Sequence, residues 1–179
     1  MSASPVLLNP SQLTPLRVKP SRDVKFHWLP VVFGLAFISI TSTAFMGGSH
    51  TQVLVTDVWR SVFGKWHVDE VTGPLNEILR KTGHFFGYGF ISLLFRNAWY
   101  TSVRALTWVL RSWLTPVAAS LAIVSTFFIA SLDEWHQTFL PGRVGCLRDV
   151  LLDAAGALVL NLLLWAFLAY KRRKALSAW

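Results

Sequence analysis

No Lys, Arg, Asp or Glu falls between Phe26 and Thr56, between Arg111 and Asp133, or between Asp153 and Lys171. Apolar runs of this size meet the ~18–20 residues that a spanning helix needs. A fourth apolar segment follows Lys81 and is broken by Arg96, whose stem lets its charge snorkel from a helix end to the interface. The pattern predicts spanning helices over roughly 28–47, 75–100, 115–139 and 147–170. Trp28 and Pro30 open the first and Gly47–Gly48 close it. Gly73–Pro74 and Thr115–Pro116 read as helix starts, because Pro is tolerated in a first turn. Leu140–Pro141–Gly142–Arg143 reads as a tight turn of type II, and Lys171–Arg172–Arg173–Lys174 as the stop of the last helix. Two connecting stretches carry apolar residues at i, i+3, i+4 and i+7: Trp59, Val62, Phe63 and Trp66, then Leu106, Val109, Leu110 and Trp113. Amphipathic, Trp-rich segments beside basic residues lie in the bilayer interface. The expected fold class is therefore an all-α integral membrane protein, a bundle of four transmembrane helices with interfacial amphipathic helices.

The polar residues of these segments are unevenly placed. Lys81, His84 and Tyr88 lie near the start of the second span, Asp133, Glu134 and Gln137 close the third, and Asp149 and Asp153 open the fourth. Successive spans run in opposite directions, so start, end and start fall on one side of the membrane. Ionisable groups inside membrane segments are costly and usually face a bundle interior or a wet cavity. Glu77, Lys81, His84 and Tyr88 share one stripe at i, i+4, i+7 and i+11. Gly83 and Gly87 form a GxxxG on the same helix, and Ala154, Ala155, Gly156 and Ala157 make the last helix smooth; small residues of this kind permit close helix approach.

Composition agrees with a membrane chain: 53% of the 179 residues are hydrophobic and 15% charged, against ~25% charged in soluble domains. The net charge of +8 is mostly juxtamembrane, so nucleic acid is not an expected partner. Eleven Lys and Arg belong to the N-terminal tail, the 96–111 region and the C-terminal tail, and six to the other side. That bias places both termini in the cytoplasm, the chain as a multi-pass protein of the plasma (inner) membrane, and the polar cluster on the extracytoplasmic face. The expected organisation is a disordered or extended cytoplasmic tail over 1–26, a transmembrane domain over 27–171 and a short cytoplasmic tail over 172–179. The tail has no apolar core that would make it a signal peptide. The single cysteine, Cys146, excludes an internal disulfide and a Cys-based metal site; at the start of the last helix it is either a low-pKa thiol or a packing residue.

Three motifs carry a resemblance: K-x-x-H-F-x-x-Y at 81–88, D-E-x-x-Q-x-F-x-P-G-R at 133–143, and D-x-x-x-(N)-x-x-G at 149–156. Together they resemble the VanZ-like membrane proteins, with a core region over 75–160. The family is named for a protein of glycopeptide-resistance clusters that lowers susceptibility to teicoplanin. The resemblance implies a small helical membrane protein with a polar site. The chain departs from the family pattern at Asp153, where Asn is usual, and at Leu160, where a second Gly is common.

Two functional readings follow from the cluster. In the first, Lys81 and Arg143 hold the phosphate or carboxylate of an envelope lipid or lipid-linked precursor, and Asp133 or Glu134 acts as general acid or base, with His84 able to donate or accept. Tyr88, Gln137, Asp149 and Asp153 complete the binding set. In the second there is no chemistry, and the same residues bind or move a lipid or amphiphile. A structural alternative is an ion-pair network balancing Asp133, Glu134, Asp149 and Asp153 against Arg80, Lys81, Arg143 and Arg148. A zinc or magnesium site on His84, His136, Asp133 and Glu134 is disfavoured by the absence of ligand spacing and by cationic neighbours. No cofactor is expected.

Overall fold

The computed structural model describes residues 24–42, 48–106, 112–140 and 145–177. They form five helices: α1 (Val24–Thr41), α2 (Gly48–Phe63), α3 (Val68–Arg104), α4 (Leu114–Gln137) and α5 (Leu147–Leu176). By length and composition α1, α4 and α5 can cross a membrane. At 37 residues α3 is the longest of the described helices, about 55 Å at 1.5 Å per residue, but it is not among the three helices apolar enough to cross a membrane by composition. The tail before residue 24 and residues 141–144, which hold most of the expected Leu140–Arg143 turn, lie outside the described residues.

Every other helix packs against α3, and α4 also packs against α5. Side-chain contacts fix the directions. Trp28 Nε1 donates to Ser102 Oγ (3.2 Å) at one end of α3, while Ser42, just past α1, reaches Asp133 near Tyr88 at the other, so α1 runs antiparallel to α3. Trp99 Nε1 donates to Ser125 Oγ (3.0 Å) and Tyr88 OH to Asp133 Oδ2 (3.0 Å), so α4 is antiparallel as well. Asn161 Nδ2 donates to Ser92 Oγ (2.8 Å) and Asp153 faces His84, which makes α5 parallel to α3.

The interior is narrow. Ala118, Ala122, Thr126, Ala130 and Glu134 are all buried on α4 at a spacing of four, and small residues let membrane helices approach closely. Tyr88, Ile91, Phe95 and Val31 fill the remaining core. Outward faces are apolar, with Phe33, Phe37, Phe128 and Leu163 largely exposed, as lipid contact requires.

Several boundaries differ from the sequence expectation. Pro74 does not open α3; the helix begins at Val68, and Val71 N–H already bonds to His67 O. Asp69 and Glu70 favour the positive end of that earlier start. The extra turns are pinned by α2, where Gln52 Nε2 donates to the buried Thr72 Oγ1 (2.9 Å). Pro30 likewise lies inside α1 rather than at its start. The Lys171–Lys174 run does not stop α5, which continues to Leu176; basic residues suit the negative end of a helix. Arg96 does not snorkel: α3 extends to Arg104, so Arg96 sits well inside the helix and is buried. The first amphipathic segment is helical, as the end of α2, although the helix stops at Phe63, and the chain turns through Gly64 and His67 at positive φ. Of the second, residues 107–111 lie outside the described residues, and Leu106 and Trp113 on either side are not helical.

Candidate functional site

The polar residues converge at one end of the bundle around Asp133. Its Oδ2 accepts three hydrogen bonds: from Ser42 Oγ (2.8 Å), Tyr88 OH (3.0 Å) and Gln137 Nε2 (2.9 Å). Two helices, α3 and α4, and the residue that follows α1 therefore meet on one carboxylate oxygen. Ser42, Tyr88 and Gln137 are all buried. This oxygen already receives three donors, so the geometry makes Asp133 an organising centre.

Glu134, the next residue, is tied elsewhere. Its Oε2 accepts the backbone N–H of Cys146 (2.8 Å), immediately before α5. Cys146 makes no side-chain cap bond of its own, so Glu134 anchors the entry of α5. A side chain at Gly145 would collide with the Glu134 carbonyl, so Gly145 lies tightly on this residue. The Cys146 thiol is exposed and does not pack. Asp149 lies in the first turn of α5 and is half-buried.

His84 on α3 and Asp153 on α5 form a second centre. His84 Nδ1 lies 3.6 Å from Asp153 Oδ2, with Asp153 only 1% exposed. The His84 ring stacks beside Tyr88, centroids 6.0 Å apart and planes 21° from parallel. The two helices are held close here by Gly156, where a Cβ would strike the Phe85 carbonyl, and by Gly89, where a Cβ would lie 3.0 Å from the Gly156 carbonyl oxygen.

Beside both centres is a cavity of about 270 Å³ bounded by α1, α2 and α3. Arg80, His84, Tyr88, Ser42, Thr41 and Thr51 give it polar lining, and Phe37 and Ile38 line it with apolar side chains. Gly83 and Gly87 also line it, and a Cβ on either would meet nothing within 4 Å. The GxxxG is therefore not a helix contact. It is an open wall of the cavity, and the close approach belongs to Gly89 and Gly156.

Of the sequence-predicted residues, His84, Tyr88, Asp133, Gln137 and Asp153 are brought together, with Glu134 and Asp149 at the adjoining start of α5. Lys81 is not among them: it pairs with Glu77 on its own helix, and the cation at the cavity is Arg80, ~100° round the helix. Among the described residues no Lys or Arg forms an ion pair with Asp133, Glu134, Asp149 or Asp153, so the balanced network of four acids and four bases does not appear there. Sequence reasoning passed over Ser42. Its signal was the hydroxyl run Thr41–Ser42–Thr43 late in the first apolar run, toward the same end as the other polar groups.

The VanZ/LLP1 family profile matches residues 24–169. The chain belongs to the VanZ/LLP1 family. The match takes in α1 to α4 and most of α5, and with them every residue of the Asp133 and His84–Asp153 centres. No curated protein and no solved structure matches the chain. Within this family member, the 81–88 and 133–143 motifs supply the Tyr88–Asp133–Gln137 hydrogen bonds, and the 149–156 motif supplies both Asp153 and the Gly156 contact.

Proposed function

We propose that this protein binds the anionic headgroup of an envelope lipid or lipid-linked precursor in the cavity between α1, α2 and α3, on the extracytoplasmic face of the plasma membrane. In this reading α3 is the fourth transmembrane span and α2 lies in the interface. The observation that carries it is the mixed lining of the cavity. Arg80, His84, Tyr88 and the Thr41, Ser42 and Thr51 hydroxyls line it together with Phe37 and Ile38, and a few polar groups in a largely apolar pocket suit an amphiphile. Arg offers planar, paired donors to phosphate or carboxylate oxygens, so Arg80 takes the role expected of Lys81. Binding comes first; modification of the headgroup is the stronger form of the same reading, with His84 as its proton-exchanging group. The family link points to altered glycopeptide susceptibility as the cellular consequence.

Mass spectrometry of lipids that co-purify with the protein tests this. An anionic lipid enriched with the wild type is expected to be lost from Arg80→Ala and retained by Lys81→Ala. Identical lipid profiles for the wild type and Arg80→Ala would overturn the proposal.

A further inference from the structure

Asp153 is the least exposed acid of the cluster, yet neither of its carboxylate oxygens has a hydrogen-bond partner, and neither does the buried Nδ1 of His84. An unpartnered buried carboxylate is strongly disfavoured, so orphans that face each other need a joint account. They are 3.6 Å apart, a few tenths of an ångström beyond a hydrogen bond. Bonds of this kind are often long before a ligand is bound and tighten with it. The backbone contacts of Gly156 with Phe85 and of Gly89 with Gly156 fix α5 against α3 within a turn of both residues, so the juxtaposition is built into the helix packing. The imidazole nitrogens lie on opposite edges of the ring. Turning Nδ1 toward Asp153 therefore leaves Nε2 for the cavity that His84 lines beside Arg80.

We infer that Asp153 is a positioning residue that holds the proton of His84 on Nδ1 and so presents Nε2 as the one proton-exchanging atom at the cavity, facing an oxyanion held by Arg80. The ligand chemistry is a phosphate-type oxyanion with a protonatable oxygen. This rests on the cavity being the binding site, as proposed above, whereas the Asp153–His84 couple itself does not. A hydrogen bond from one ring nitrogen to a carboxylate fixes the tautomer and orientation of the other. The exchange is a single proton between Nε2 and the ligand oxygen, with no bond to carbon or phosphorus formed or broken.

The test is nitrogen-15 NMR of the histidine-labelled full chain in phosphatidylcholine nanodiscs, at alkaline pH where the ring is neutral. His84→Gln identifies the resonance among the five histidines. The wild type is expected to carry its proton on Nδ1, against the Nε2–H preference of a free histidine side chain, and Asp153→Leu to revert to Nε2–H. Leu is a suitable replacement because buried ionic groups often yield to apolar ones without loss of fold. If Asp153→Leu does not fold, Asp153→Asn serves: loss of the charge-assisted bond is expected to move the Nδ1 proton upfield. A wild-type Nε2–H tautomer, an Nδ1–H that survives Asp153→Leu, or an unmoved proton in Asp153→Asn would each overturn the couple. Adding phosphatidate to the nanodisc is expected to shift Nε2 in the wild type. A shift with inorganic phosphate alone would keep the oxyanion site and assign it to a free anion. No shift with either would overturn the cavity as the binding site while leaving the tautomer result standing.

Discussion

Asp133 Oδ2 collects Ser42, Tyr88 and Gln137, and this sharing has an energetic signature. Hydrogen bonds between membrane helices are worth about 0.5–2 kcal/mol each. Ser42→Ala and Tyr88→Phe are each expected to lower stability by about that amount. Because both donors feed one oxygen, the double variant is expected to deviate from the sum of the singles, as residues in one network do. Asp133→Asn is expected to cost more than either, since a neutral amide oxygen accepts more weakly than a carboxylate. Denaturation in mixed micelles gives all three values. Strict additivity of Ser42→Ala and Tyr88→Phe would mean that the two bonds are independent and that Asp133 does not organise the site.

Between helices, the glycines divide into two kinds with opposite expected behaviour. Gly156→Ala places a methyl against the Phe85 backbone, and overpacking of this sort costs about 1–3 kcal/mol. Gly83→Ala and Gly87→Ala meet open space and gain helix propensity, up to about 1 kcal/mol each. They are expected to leave the melting temperature unchanged or raised while reducing the co-purified lipid, because the methyl groups enter the cavity. Thermal unfolding and lipid recovery measured together decide it; a destabilised Gly83→Ala with an unaffected Gly156→Ala would reverse the assignment. The same contrast shows what the sequence could reveal. Helix order and the shared end of His84, Tyr88, Asp133, Gln137 and Asp153 were legible, because span length and alternation of direction are properties of the chain. Spacing also gives the angles between residues of one helix, but not the rotation of that helix against its neighbours. That rotation placed Arg80 at the cavity instead of Lys81, and turned Gly83 and Gly87 toward open space. Pro74 misled for a related reason. A proline marks a missing donor, but the contact of Gln52 with Thr72 holds the turns before it, and that contact joins residues 20 apart.

The orientation proposed for the bundle rests on charge, and the fold changes the count slightly. Arg96 is buried inside α3 and no longer counts as a loop charge, leaving ten Lys and Arg on the side of the termini against six on the other. The balance still favours the proposed orientation, with the termini in the cytoplasm. The helix directions agree with a four-span reading: α1 and α4 run against α3, and α5 runs with it. In that reading α2 joins the ends of α1 and α3 on the outer face. Gln52 and Thr56 turn toward Thr72 on α3, while Val53, Leu54, Val58 and Val62 are exposed, as a helix lying on the bilayer requires. The chain carries its own probe of this orientation. Cys146 is the single cysteine; it is exposed and stands at the start of α5, beside Glu134 at the polar end of the bundle. A membrane-impermeant maleimide is expected to label intact cells, with Cys146→Ser as the unlabelled control, and a fluorescent reporter after Trp179 is expected to be cytoplasmic. If labelling instead requires permeabilised cells, the bundle is inverted. The cavity beside Arg80 and His84 would then open to the cytoplasm, and an outer-leaflet lipid could not be its ligand.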